Sequence, residues 1–160
     1  MVEPHVVTLR ATRAGDLDEL FRLRQDDTAI RMAAFTAEDM ADRAAFDARW
    51  ARLLADPSVR LVTIRADGEI VGDAARWTDP EDGPMVAYWI DRAHWGRGVA
   101  TRALRLFLDT EPRPMRARAA ADNAGSLAVL RKLGFTVVGE ERGFANARGT
   151  EIDEVVLELR

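Results

Sequence analysis

Between Trp89 and Thr101 the chain reads WIDRAHWGRGVAT, a strand-like run that breaks at Asp91 and passes through Gly96 and Gly98 into an apolar helical face beginning at Val99. The first N–H groups of a helix lack internal partners, and the dipole there favours negative charge. Glycines let such a backbone approach an anion closely, so the amides from Gly96 to Thr101 form a candidate seat for a pyrophosphate. Two other readings fit the same glycines. They suit a plain tight turn, and Gly96-x-Gly98 with Asp122 downstream resembles a dinucleotide fingerprint. That fingerprint belongs to a first βαβ unit and ends in a third Gly or Ala, whereas Thr101 stands here after a long stretch of other structure.

Other chemistries have few residues to work with. The 160-residue chain has no cysteine, which excludes thiolate nucleophiles and zinc-thiolate sites, and its two histidines, His5 and His94, lie far apart. No metal is expected. A net charge of -4 argues against nucleic acid as partner, because a basic face supplies most of that affinity. The basic residues are nearly all arginine, with Lys132 the only lysine, and are interspersed with acids. No charged start followed by an apolar run opens the sequence, and no apolar stretch is long enough to cross a bilayer. The expectation is one cytoplasmic domain over residues 1–160 with no membrane partner.

The elements that must hold the glycines follow from periodicity. His5 to Ala11 reads as a strand. Asp16 with Glu19 makes a capping box for a helix through Leu17, Leu20 and Phe21. Thr36 and Asp39 repeat that signal before Phe46, Trp50, Leu53 and Leu54, which stop near Asp56-Pro57. Arg60–Arg65 and Glu69–Trp77 flank Asp67-Gly68, a hairpin signal. Thr78 to Pro84 is a second turn, leading to a strand from Met85 to Asp91. The helix opened by the glycines ends at Glu111-Pro112-Arg113-Pro114. A strand, Met115 to Ala121, and a helix, Ser126 to Leu133 closed by Gly134, come next, then strands at Phe135–Gly139 and Ile152–Leu159. The order β-α-α-β-β-β-α-β-α-β-β predicts an α/β (α+β) fold, a mixed sheet with helices on both faces.

A second constellation, Asn123-Ala124-Gly125-Ser126 running through Leu130 to Gly134-Phe135, follows the next strand. Alone, Asn123 is an ordinary helix-start residue and Ser126 a capping or surface one. Together with Trp95-Gly96-Arg97-Gly98-Val99-Ala100-Thr101, it resembles the GNAT superfamily of N-acetyltransferases, nearest the branch that includes RimJ and RimL. That family's signature has the form Q/R-x-x-G-x-G/A, and Trp95-x-x-Gly98-x-Ala100 matches all but its first position.

The resemblance implies a mostly antiparallel sheet, acetyl-CoA as co-substrate and a primary amine as acceptor, a peptide N-terminus or a small amino compound. It implies that amides from Gly96 to Thr101 (Gly96, Arg97, Gly98, Val99, Ala100, Thr101, with Trp95 before them) hold the pyrophosphate. Ile90 and Asp91 would offer main-chain groups to the pantetheine arm, and an amide near them would polarise the thioester carbonyl. Asn123, Ser126 and Leu130 would lie near the thioester. Homodimers are frequent in that family.

Two departures bear on chemistry. Many relatives carry a tyrosine four residues before the Gly-Phe pair, where Leu130 stands, and Tyr88 is the only tyrosine in the chain. The RimL-like resemblance then implies Ser126 as the best substitute proton donor. A glutamate that often opens the fourth strand is matched by Met85, leaving the base unassigned. A site without a strong base suits an amine of low pKa: at pH 7 the ammonium outnumbers the free amine roughly tenfold for an α-amine and over a thousandfold for a lysine. These departures also leave open a catalytically weak acyl-CoA-binding module. Acids at Asp26-Asp27, Glu38-Asp39-Asp42 and Asp79-Glu81-Asp82 suggest an acidic rim drawing in a cationic amine, or else solvated loops and helix starts.

Overall fold

A computed structural model describes residues 2–160. Seven strands form one sheet in the order β1-β2-β3-β4-β5-β7-β6: β1 Val7–Ala11, β2 Arg60–Ala66, β3 Glu69–Asp79, β4 Gly83–Ile90, β5 Met115–Ala120, β6 Thr136–Ala145 and β7 Thr150–Leu159. Neighbours are antiparallel except β4 and β5, which run parallel and meet in register only at Met85↔Arg116. Beyond that point the two strands part. Their C-terminal halves leave a gap in the middle of the sheet with backbone groups on both sides.

Five helices cover the sheet: α1 Leu17–Leu23, α2 Asp27–Ala33, α3 Arg43–Ala55, α4 Val99–Leu108 and α5 Ala124–Lys132. On one face α4 and α5 bury Val99, Leu104, Phe107, Leu127 and Leu130 against Ile64, Val86 and Leu157. On the other, Leu20 and Leu23 of α1 and Phe46 and Trp50 of α3 pack with Leu61 and Trp89. Apolar residues at helical spacing on these helices and alternation along the strands account for both layers.

Several boundaries differ from the sequence reading, each for a local reason. Helix α2 has no counterpart in the expected order. Its N-cap is Asp26, whose carboxylate accepts from Ala29 N–H at 2.8 Å. Asp16 does not cap α1 with its side chain; buried, it accepts from Arg13 N–H at 2.9 Å and pairs with Arg10 at 2.7 Å. The start signal for α3 is Asp42, accepting from Ala45 N–H, rather than Thr36 or Asp39. Strand β4 begins at Gly83, two residues earlier than expected, and β6 and β7 form a long hairpin reaching Ala145 and Thr150. The hairpin's outer part is exposed on both faces, so its sequence lacks the apolar-polar alternation that marks a half-buried strand.

Candidate functional site

The glycine turn lies at the C-terminal end of β4. Asp91 opens a 3-10 turn, Gly96 and Gly98 take positive φ of 71° and 74°, and Gly98 is the left-handed N-cap of α4. That conformation costs most L residues about 1–2 kcal/mol. The first α4 amide with a backbone partner is Arg102 N–H, bonded to the Gly98 carbonyl at 3.1 Å. Among the described residues, the amides of Gly96 to Thr101 have no backbone acceptor. Trp95 ties the turn to the sheet by donating its indole N–H to the Ile90 carbonyl at 2.9 Å.

These amides open onto a cleft of about 600 Å³ lined by Tyr88, Trp89, Ile90, Trp95, Gly96 and the first turn of α4 on one side. Asn123, Gly125 and Ser126 of α5 and Ala29, Met32 and Ala33 of α2 form its other wall. Asn123 joins the two helices. It accepts from Ser126 N–H at 3.1 Å as the N-cap of α5 and donates from Nδ2 to the Met32 carbonyl at 3.2 Å.

The expected site residues separate here. Ile90, Trp95, Gly96, Gly98, Val99, Ala100, Thr101, Asn123 and Ser126 line this cleft. Arg97 points elsewhere, donating to the Val2 carbonyl at 2.8 Å. Asp91 is also outside the lining, and its N–H is already given to the Val71 carbonyl at 2.8 Å. It therefore has no amide to offer a thioester. Since N–H and C=O groups of alternate strand residues point to opposite neighbours, those of Ile90 and Tyr88 face the β4–β5 gap. Leu130 is buried and belongs to a second cavity.

That second cavity, about 400 Å³, adjoins the cleft through Ala33, Tyr88, Trp89, Asn123 and Ser126 and lies on the α1–α3 side of the sheet. Phe35, Met40, Phe46 and Trp50 give it apolar walls, and Arg24, Arg49, Arg118 and Glu154 line it too. Arg24 stacks over Trp50 and Trp89, at 4.9 and 5.3 Å, and pairs with buried Asp73 at 2.6 Å. Burial pushes the Asp73 carboxyl up, against the opposing pull of Arg24. Glu154 is raised in the same way, burial outweighing its 3.1 Å contact with Arg118.

Sequence reasoning missed Tyr88 as a site residue. From β4 its phenol donates to Ser126 Oγ at 3.1 Å, where the cleft and the cavity meet. Burial pushes the phenol above its usual value, opposed by the Ser126 contact, so it stays protonated at neutral pH. The available signal was parity: Tyr88 lies two residues before Ile90 and shares its side of the sheet with α5.

The acidic rim is not formed. Asp26 caps α2 and pairs with Arg92, Asp39 pairs with Arg49, Asp42 caps α3, and Asp79 accepts from Glu81 and Asp82 N–H. Asp82 bonds Arg116 and Arg118. None of the acids proposed for the rim lines the cavity.

A family model for the Acetyltransferase (GNAT) domain matches residues 7–136. Over 122 residues the chain is 31% identical to the N-alpha-acetyltransferase RimI of Mycobacterium tuberculosis, covering 73% of this chain and 75% of that one. Two solved structures share the fold at lower identity. Mycobacterium smegmatis RimJ in complex with CoA-disulfide is 24% identical with a TM-score of 0.81, covering 96% of this chain and 81% of that one. The spermidine N-acetyltransferase from Vibrio cholerae, in complex with CoA and spermine, is 17% identical with a TM-score of 0.82, covering 96% and 94%.

Proposed function

Because the chain belongs to the GNAT family of acetyltransferases, we propose that it moves the acetyl group of acetyl-CoA directly onto a primary amine of low pKa, such as a peptide N-terminus or a small amino compound. The observation that carries this is the union of free helix-start amides with a parted pair of strands. A diphosphate suits the unpartnered N–H groups from Gly96 to Thr101. An extended amide-bearing arm suits the inward groups of Ile90 and Tyr88, added as a strand would be. Both features border one cleft, which ends at Ser126. One nearby group opposes an anion: the Glu3 carboxylate lines the cleft and lies within 3.4 Å of where a Cβ on Gly98 would stand.

Acetyl-CoA supplies the acyl group as a thioester. The Ile90 N–H is the donor placed to polarise its carbonyl, now that the Asp91 amide is committed to Val71. Tyr88 donates to Ser126, which frees the Ser126 hydrogen for the departing sulfur. A phenol above its usual pKa of about 10 is a weaker acid than a thiol near 8.5, so this pair stabilises the sulfur's charge by hydrogen bonding and gives up no proton permanently. The proton released by the attacking nitrogen ends on sulfur. Glu154 is the carboxylate on the acceptor side placed to take the proton of an incoming ammonium, and its raised pKa brings it nearer that of an α-amine.

Thiol release from acetyl-CoA, followed with a panel of α-amines and lysine side-chain amines, tests this reading. The expected result is turnover that favours α-amines. CoA binding without thiol release on any amine overturns transfer, and faster turnover of lysine side chains overturns the low-pKa preference.

A further inference from the structure

We propose that the acceptor carries an oxyanion, a carboxylate or phosphonate-type group, set apart from its amine by an apolar body, and that Arg49 binds it. This rests on the acetyl-transfer reading and names the substrate class of the cavity behind Ser126.

The lining is rich in donors and poor in acceptors. Three guanidinium groups, Arg24, Arg49 and Arg118, face one carboxylate, Glu154, which is already bonded to Arg118. The Trp89 indole N–H and the Thr36 hydroxyl, both on lining residues, find no partner among the described residues. A polycationic amine entering this space meets three like charges against one carboxylate, Glu154, that Arg118 already holds. An oxyanion meets the reverse.

The three arginines differ in what they have left to give. Arg118 spends its donors on Asp82, Glu141 and Glu154. Arg24 gives one to the Leu20 carbonyl, pairs with Asp73 and is held between two indoles. Among the described residues Arg49 makes a single side-chain hydrogen bond, from Nη1 to Asp39 at 2.9 Å, so most of its five N–H donors are unspent there. That pair is partly exposed, with side chains 32% and 44% accessible. Exposed pairs contribute little, and a bidentate oxyanion competes well for such a guanidinium. Arg49 projects from α3 one turn after Phe46 and one residue before Trp50. An apolar body seated on those rings thus carries its charged end to Arg49 and its amine toward Ser126.

The test measures kcat/KM for dipeptides of apolar residues and for their C-terminal amides, with 1,4-diaminobutane as a dication, on wild type, Arg49→Gln and Arg49→Lys. Comparing variants on each acceptor cancels differences in amine pKa. Arg49→Gln is expected to lose about 10- to 100-fold on the dipeptides and less than about threefold on their amides, with Arg49→Lys intermediate and affinity for CoA unchanged. Equal losses on acid and amide overturn the proposal, as does a wild-type preference for the diamine; both outcomes leave acetyl transfer standing. If CoA binds and no amine is turned over, acetyl transfer fails. Equilibrium binding of the same dipeptides to CoA-loaded protein then decides the oxyanion site, and wild type binding no tighter than Arg49→Gln overturns it.

Discussion

Replacing Tyr88 by Phe removes one hydroxyl and keeps the ring in its half-buried place between β4 and α5. What is lost is the 3.1 Å donor to Ser126 Oγ. Ser126→Ala removes the other end of the same bond and the hydrogen aimed at the sulfur. A hydrogen bond to a charged group contributes about 1.5–3 kcal/mol, so each single variant should lose roughly 10- to 150-fold in kcat. The Michaelis constant for acetyl-CoA should hold within about threefold, because the charge on sulfur exists only as the bond breaks. The two groups act in series, so the double variant should be no slower than Ser126→Ala alone, a coupling of about 1 kcal/mol or more in the double-mutant cycle. Steady-state thiol release at saturating acceptor reads all four proteins. Losses that simply multiply refute the serial arrangement, and a Tyr88→Phe enzyme within twofold of wild type refutes the role of the phenol.

Two further outcomes probe the site's electrostatics and its support. Glu3→Gln removes a carboxylate beside the free α4 amides, so CoA should bind about two- to fivefold tighter at low salt, the gain fading as salt rises; unchanged affinity by titration calorimetry would place Glu3 away from the diphosphate. Asp16 is buried beneath β1, and its bonds to Arg10, the Arg13 amide and Thr63 hold its carboxyl far below the usual carboxylate range. A depressed native pKa means the stabilisation is full above the unfolded value, near 3.9, and drains as pH falls below it. Asp16→Asn should therefore cost about 2–4 kcal/mol in urea melts at pH 7, with the gap to wild type closing from pH 4 downward; a gap independent of pH contradicts this.

Features written locally were legible in the sequence. Asp67-Gly68 marks the β2–β3 hairpin because both residues take positive φ, 48° and 88°. Val99, Ala103, Leu104, Phe107 and Leu108 mark α4 because all five are buried along one stripe. Gly96 and Gly98 mark the anion turn because L side chains disfavour its backbone. The parts not legible depend on tertiary partners. Helix α2 is only seven residues long, about two turns, and its capping acid, Asp26, looks in sequence like a loop charge. Five of the acids read as a rim, Asp26, Asp39, Asp42, Asp79 and Asp82, are engaged by caps, a turn or arginines, Arg92, Arg116 and Arg118 among them. Tyr88 meets Ser126 across 38 residues of chain, a contact that no local pattern encodes. Arg49 looks like any solvated helix arginine until the fold turns α3 over the cavity.

In the proposed reaction, backbone amides at the start of α4 receive a diphosphate so that a thioester reaches Ser126 through the β4–β5 gap. A crystal structure of the protein with CoA tests this most directly. It should place diphosphate oxygens within hydrogen-bond distance of N–H groups between Gly96 and Thr101, and the sulfur beside Ser126 Oγ. A diphosphate seated away from that helix start, or an arm that bypasses the parted strands, would contradict it.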